Sequence, residues 1–183
     1  RFCPGKAGKT EDAERFAGYA QGFKDAWAKF YLKENGQTIV NTQTSYVIGL
    51  AFDVVPDEMK QATADQLAAV IQSDKYNGKI STGFISTGFL LPVLCEYGHE
   101  DIAYSLLEDT EFPSFLYPVT QGATTIWERW DSYSPSGFGN PTMNSFNHFA
   151  FGTVARWLYS GVLGITVDPA SPAYKHFSLQ PVY

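Results

Sequence analysis

Across 183 residues, 19 acidic side chains against 13 basic ones leave a formal charge of −6, with both signs scattered along the chain. Nucleic-acid affinity rests on Lys and Arg neutralising phosphates, so this balance argues against a nucleic-acid surface. With 44% apolar and 16% aromatic residues, the chain can bury one real core, which excludes a disordered segment.

Residues 1–10 read as a Gly/Lys-rich leader or linker. No signal-peptide pattern opens the chain, and a start at Arg1 without Met reads as a piece of a longer protein, so the compartment stays unknown. Cys3 in the leader and Cys95 in an apolar run give no disulfide framework; Cys95 reads as a free buried thiol. Phe16, Ala20, Phe23, Trp27 and Phe30 step by four, three, four and three, which predicts a helix from about Glu11 to Asn35. Their stripe reads as core, with Asn35-Gly36 as a left-handed stop.

Ser45 to Val55 is apolar on every side and predicts a helix buried all round. Pro56, Asp57 and Glu58 open the next helix, amphipathic through Met59, Ala62, Leu67, Val70 and Ile71 to about Ser73. After the Asn77-Gly78 turn and the uncharged Ile80 to Phe84, Ile85 to Tyr97 is again apolar and closes at Gly98. Pro92 should kink that run or mark its first turn. Its longest apolar stretch, Phe89 to Cys95, is far shorter than the roughly 20 residues that span a bilayer. A short amphipathic helix, Asp101 to Glu108, follows with Ile102, Leu106 and Leu107 on one face. Outer amphipathic and inner apolar helices thus alternate, as antiparallel helix pairs in two concentric layers would produce.

Between Thr110 and Asn144 the periodicity disappears while aromatics abound, which reads as a functional loop. Asn144 to His148 reads as the opening of a final helix, with Asn144 or Ser145 as its cap. Ile165 to Tyr183, with three prolines, reads as the exit into a β-rich domain.

Most carboxylates sit where helices place solvated charge. Glu128 and Asp131 differ, lying in Thr124-Thr125-Ile126-Trp127-Glu128-Arg129-Trp130-Asp131-Ser132. Indoles strip water from a carboxylate and favour its neutral form, while a neighbouring Arg favours the charged one; set against each other, these effects make a useful base near neutrality. By residue type alone, Glu128 is either catalytic or an ion-pair partner of Arg129. His148 could offer a hydrogen bond to a sugar hydroxyl, or be structural; His99 and His176 read as turn residues. No Gly-x-Ser-x-Gly elbow, zinc-spaced Cys pair, His-Glu-x-x-His motif or phosphate loop occurs, so no metal and no cofactor is implied.

Together, Ala123 to Asp131 and Met143-Asn144-Ser145-Phe146-Asn147-His148 resemble the paired signature of glycoside hydrolase family 78, the α-L-rhamnosidases. Thr42 to Tyr46, Ser81 to Phe84 and Phe112 to Tyr117 match further segments in order. The resemblance covers roughly Phe16 to Ile165 and departs at Ser86, where glycine is expected, and at Phe115, where Trp is usual. It implies an all-α (α/α)6 barrel, a six-hairpin toroid, of which about half lies in residues 11–165, with residues 166–183 starting a C-terminal β-domain. It also implies inverting hydrolysis of terminal α-L-rhamnosides, in which a base carboxylate activates water and an acid about 6.5–9.5 Å away protonates the leaving oxygen. Carried over by position, Glu128 is the base and His148 binds the sugar. Trp127 and Trp130 would shape the pocket, with Asp131 and Thr82 as further substrate contacts. The family's acid segment is not found in this sequence, so the N-terminal half of the barrel is the expected partner besides carbohydrate; no membrane or nucleic-acid partner is expected. Two other readings are a non-catalytic glycan-binding toroid and an (α/α)6 inverting glycosidase for another sugar.

Overall fold

The computed structural model describes residues 8–171 and 173–181. Cys3 and most of the predicted leader lie outside them, as do Pro172, Val182 and Tyr183 of the tail. The described residues form a largely helical domain with two small two-stranded sheets, and the helices do not close a barrel.

Helix α1 spans Thr10–Tyr31, with Glu11 and Asp12 in its first turn and Lys29 in its last, the charges that its dipole favours. It stops before Asn35-Gly36 is reached. Those residues instead build a turn in which Leu32 bridges Thr38 and Lys33 N donates to Gln37 O at 2.8 Å. Gly36 has φ +80°, and a Cβ there would lie 2.8 Å from the Ala62 and Thr63 backbone, so the turn requires glycine for two reasons.

The aromatic stripe on α1 departs from the sequence expectation of core. Phe16, Tyr19, Phe23 and Phe30 are 52%, 65%, 63% and 61% exposed, and no α1 residue is buried. The spacing made one apolar face, but the described residues place no helix against it. Trp27 alone of the stripe reaches the core, packing on Gly49.

Helix α2 (Gln43–Ala51) starts ahead of the predicted Ser45 because Thr42 and Ser45 form a reciprocal capping box. Tyr46, Val47 and Leu50 are buried, as expected for an inner helix. A short 3-10 turn, Asp57–Met59, leads into α3 (Lys60–Gln72), whose Leu67 and Ile71 face the same core. Asn77 and Gly78 turn at φ +49° and +72°. Helix α4 (Thr87–Glu96) buries Leu90, Leu91, Val93 and Leu94, and α5 (Glu100–Glu108) buries Ile102, Ala103 and Leu106. α2 packs on α3 and α4, and α4 on α5, so the apolar helices are central and the amphipathic ones flank them. Cys95, packed against the core, is a free thiol and is only half-buried. Among the described residues no helix is long and apolar enough to cross a membrane.

The stretch between α5 and the final helices contains one turn of helix, α6 (Tyr117–Thr120), and a hairpin, β1 (Tyr133–Ser134) with β2 (Gly137–Phe138). The final helix does not open at Asn144. A 3-10 turn, Ala150–Thr153, leads into α7 (Val154–Trp157) and a π turn, Leu158–Val162. The backbone groups of Ser145 and His148 are taken by Glu128 and Ile126, so they are not free to begin a helix and no cap forms there. In the tail, β3 (Ile165–Val167) pairs antiparallel with β4 (Phe177–Leu179), largely exposed.

Candidate functional site

Gln43 is wholly buried at the start of α2, and both ends of its amide are bonded: Nε2 donates to Lys79 O at 2.9 Å and Oε1 accepts from Ser81 N at 2.8 Å. A buried amide left half-paired would cost stability, so this pairing pins the non-helical segment from Lys79 to Ser81 onto the core. That segment forms one wall of a hollow of about 560 Å³. Thr82, Phe84, Phe112, Glu128, Arg129, Trp130, Asp131, Met143 and Phe151 line it as well, with Lys75, Tyr76 and Lys79 at one end.

Glu128 is half-buried on this wall. Its backbone N–H donates to Ser145 O at 2.9 Å, and its Oε2 accepts from Ser145 N at 2.8 Å. Among the described residues, Oε1 has no hydrogen-bond partner. Arg129 does not pair with Glu128. Its Nε and Nη2 donate to the two oxygens of Asp131 at 2.9 and 3.2 Å, a bidentate fork that holds the Asp131 carboxyl below the usual carboxylate range. The ion-pair reading of Glu128 therefore falls, because the guanidinium is engaged two residues further on.

Trp130 stacks on Phe151 at 3.7 Å with the rings 7° apart, and its Nε1 donates to Thr82 O at 3.3 Å. Phe115 meets it edge-on at 5.3 Å. Thr82 lines the hollow, but its hydroxyl is buried and bonded to that of Thr87 at 2.9 Å. Trp127 is buried and faces away, into a second, apolar hollow of about 380 Å³ that shares the Trp130 and Phe151 wall. His148 does not line the first hollow; it stacks on Phe149 at 5.5 Å and lies 5.8 Å from the ring of Phe84, which does. Of the six residues singled out from sequence, the structure brings Glu128, Trp130, Asp131 and Thr82 to one cavity and sets Trp127 and His148 behind its walls.

Sequence reasoning passed over Phe84, Phe112, Met143 and Phe151 as wall residues. The first three lie inside or at the ends of the motif segments, which was signal enough; Phe151 had none, since apolar residues in a helix read as core. Lys75 and Lys79 were also missed. Lys79 is tied to Asp109 and Glu111 at 2.7 and 3.1 Å, and those partners keep its ammonium charged well above ordinary pH. No local pattern marks a salt bridge across 30 residues. Among the described residues no cluster of three or more His, Cys, Asp or Glu could hold a metal.

A family profile described as the bacterial alpha-L-rhamnosidase 6 hairpin glycosidase domain matches residues 5–162. An alpha-L-rhamnosidase of Streptomyces avermitilis is 41% identical over 172 residues, which is 93% of this chain and 16% of that protein. One from Formosa agariphila is 38% identical over 96% of this chain and 19% of its own. The chain thus spans less than a fifth of these curated relatives. The crystal structure of the Streptomyces enzyme complexed with L-rhamnose superposes with a TM-score of 0.84, over 96% of this chain and 17% of that one. The native enzyme of Aspergillus terreus superposes with a TM-score of 0.86 at 37% identity, over 96% of this chain and 20% of that one.

Proposed function

The chain belongs to the bacterial α-L-rhamnosidase six-hairpin glycosidase family, and on that premise we propose that it is part of an inverting hydrolase of terminal α-L-rhamnosides to which it supplies the general base, Glu128. Residues 11–165 are then the C-terminal half of an (α/α)6 barrel, and residues 166–183 begin a β-rich domain. The exposed aromatic stripe of α1 supports that reading, being a core-type face that the other half of the barrel would cover.

One observation carries the assignment of the base. Glu128 has one oxygen anchored on a backbone N–H and the other unbonded, on the wall of a hollow large enough for a sugar and a water. Asp131 is the other carboxylate on that wall, and its Arg129 fork keeps it ionised, so it is not a proton donor at neutral pH. The acid that protonates the leaving oxygen must then come from outside these 183 residues, across the open side of the hollow. Trp130 offers a sugar-sized apolar face and Asp131 an acceptor for hydroxyls. Thr82 contributes by holding the Trp130 indole, Trp127 by closing the wall from behind, and His148 by backing Phe84.

Glu128→Gln in the full-length polypeptide tests this. Hydrolysis of an aryl α-L-rhamnoside should fall by roughly 10²–10⁴-fold while rhamnose binding persists. Undiminished turnover would sink the assignment and leave a glycan-binding role for this carboxylate.

A further inference from the structure

Glu128 sits on a segment with no helix or sheet of its own, so its aim depends on a few bonds to a second irregular segment. Residues 125–128 and 145–148 face each other. Glu128 N donates to Ser145 O at 2.9 Å and His148 N to Ile126 O at 2.8 Å, both main-chain bonds. Two further bonds use side chains: Ser145 N donates to Glu128 Oε2, and the Thr125 hydroxyl donates to Phe146 O. The second fastens Phe146, the residue after Ser145, and so holds the segment that carries the Ser145 N–H against the Glu128 segment. Thr125 itself does not line the Glu128 hollow; it borders the second, apolar one.

We propose that Thr125 is a positioning residue that acts through the Ser145 N–H to hold Glu128 Oε2 and leave Oε1 free to orient water. This rests on Glu128 being the base. Loosening the clamp therefore weakens the base by letting its carboxylate swing out of aim. The charged and titratable groups around Glu128 are Arg129 and Asp131 on its own segment and His148 on the facing one. Lys75, Tyr76 and Lys79 line the same hollow, the last paired with Asp109 and Glu111. None of them is altered by a change at Thr125.

Thr125→Val keeps the branched shape and removes the hydroxyl. In the full-length polypeptide, kcat should fall roughly three- to tenfold, the loss of one hydrogen bond, with KM nearly unchanged. Thr125→Ser should restore kcat, because it restores the donor. A Thr125→Val enzyme with wild-type kcat overturns the proposal. So does a loss of kcat that Thr125→Ser does not restore, or one matched by an equal loss of rhamnose-binding sites, which would report lost folded protein rather than a misdirected base. If the valine variant does not fold, Thr125→Ala removes the same donor and is read by the same outcomes. Glu128→Gln separates the two levels: if it retains full turnover, the base assignment itself fails, whereas an inactive glutamine variant beside an unaffected valine variant removes only the clamp.

Discussion

Helices α1 and α4 are both written in apolar residues at helical spacing, and they come to rest in opposite surroundings. In α4, Leu90, Leu91, Val93 and Leu94 are buried between α2 and α5. In α1, Phe16, Tyr19, Phe23 and Phe30 stand open. Periodicity decides which face of a helix is apolar; whether that face is covered depends on what else the molecule brings to it. Side chains tie α1 to α2 and to the residues just after it. The Trp27 indole packs on Gly49, and the Lys24 ammonium meets the Asp53 carboxylate at 2.6 Å.

The largest expected effect is the contrast between the two helices. In the 183-residue chain, Leu90→Ala should cost about 2–5 kcal/mol of unfolding free energy, because it opens a cavity in a wholly buried site. Phe23→Ala should stay within about 0.5 kcal/mol, as an exposed substitution does. Denaturant unfolding of both variants checks this, and equal losses would mean that the α1 stripe is covered in solution.

A sharper probe addresses the one packed contact. The Cβ of Gly49→Ala would lie 2.8 Å from Trp27 Cη2, closer than real contacts come, and 3.2 Å from Val55 Cγ2, a tight approach. Overpacking of this kind should cost roughly 1–3 kcal/mol. A cost near zero would show that the indole swings aside freely and that α1 is scarcely docked.

The smallest effect is a pH dependence. Hydrogen bonds from Lys24, then Lys60, hold the Asp53 carboxyl at about 2, against 3.8 ordinarily. Because the folded value is the lower one, this stabilisation is complete above the unfolded value and is lost as pH falls through the folded one. The Asp53 carboxylate is more than half exposed, so the contribution should be below about 1 kcal/mol. Asp53→Asn should flatten the stability curve between about pH 4 and pH 2 by that amount; an unchanged curve would mean the pair contributes nothing measurable.

Much was legible beforehand. The helices α2 to α5, the Asn77-Gly78 turn and the amphipathic alternation follow from spacing, caps and breakers, all of which act within a few residues. The stretch from Thr110 to Asn144 was legible as ordered because it is too rich in Phe, Tyr and Trp to be disordered. The Asn144 to His148 segment was misread as a helix start because capping residues look alike whether they meet their own helix or another segment.

What residue order settled here is local: where helices begin and end, which faces are apolar, and that Glu128 stands among indoles beside an arginine. Only the tertiary structure decided what those groups meet. It sent Arg129 to Asp131, turned Trp127 away from the Glu128 cavity, gave one Glu128 oxygen to the Ser145 N–H and left the α1 aromatics open. The physical reason is range: helix hydrogen bonds and turns close over three or four residues, whereas these bonds and stacking contacts join segments that sequence spacing does not relate.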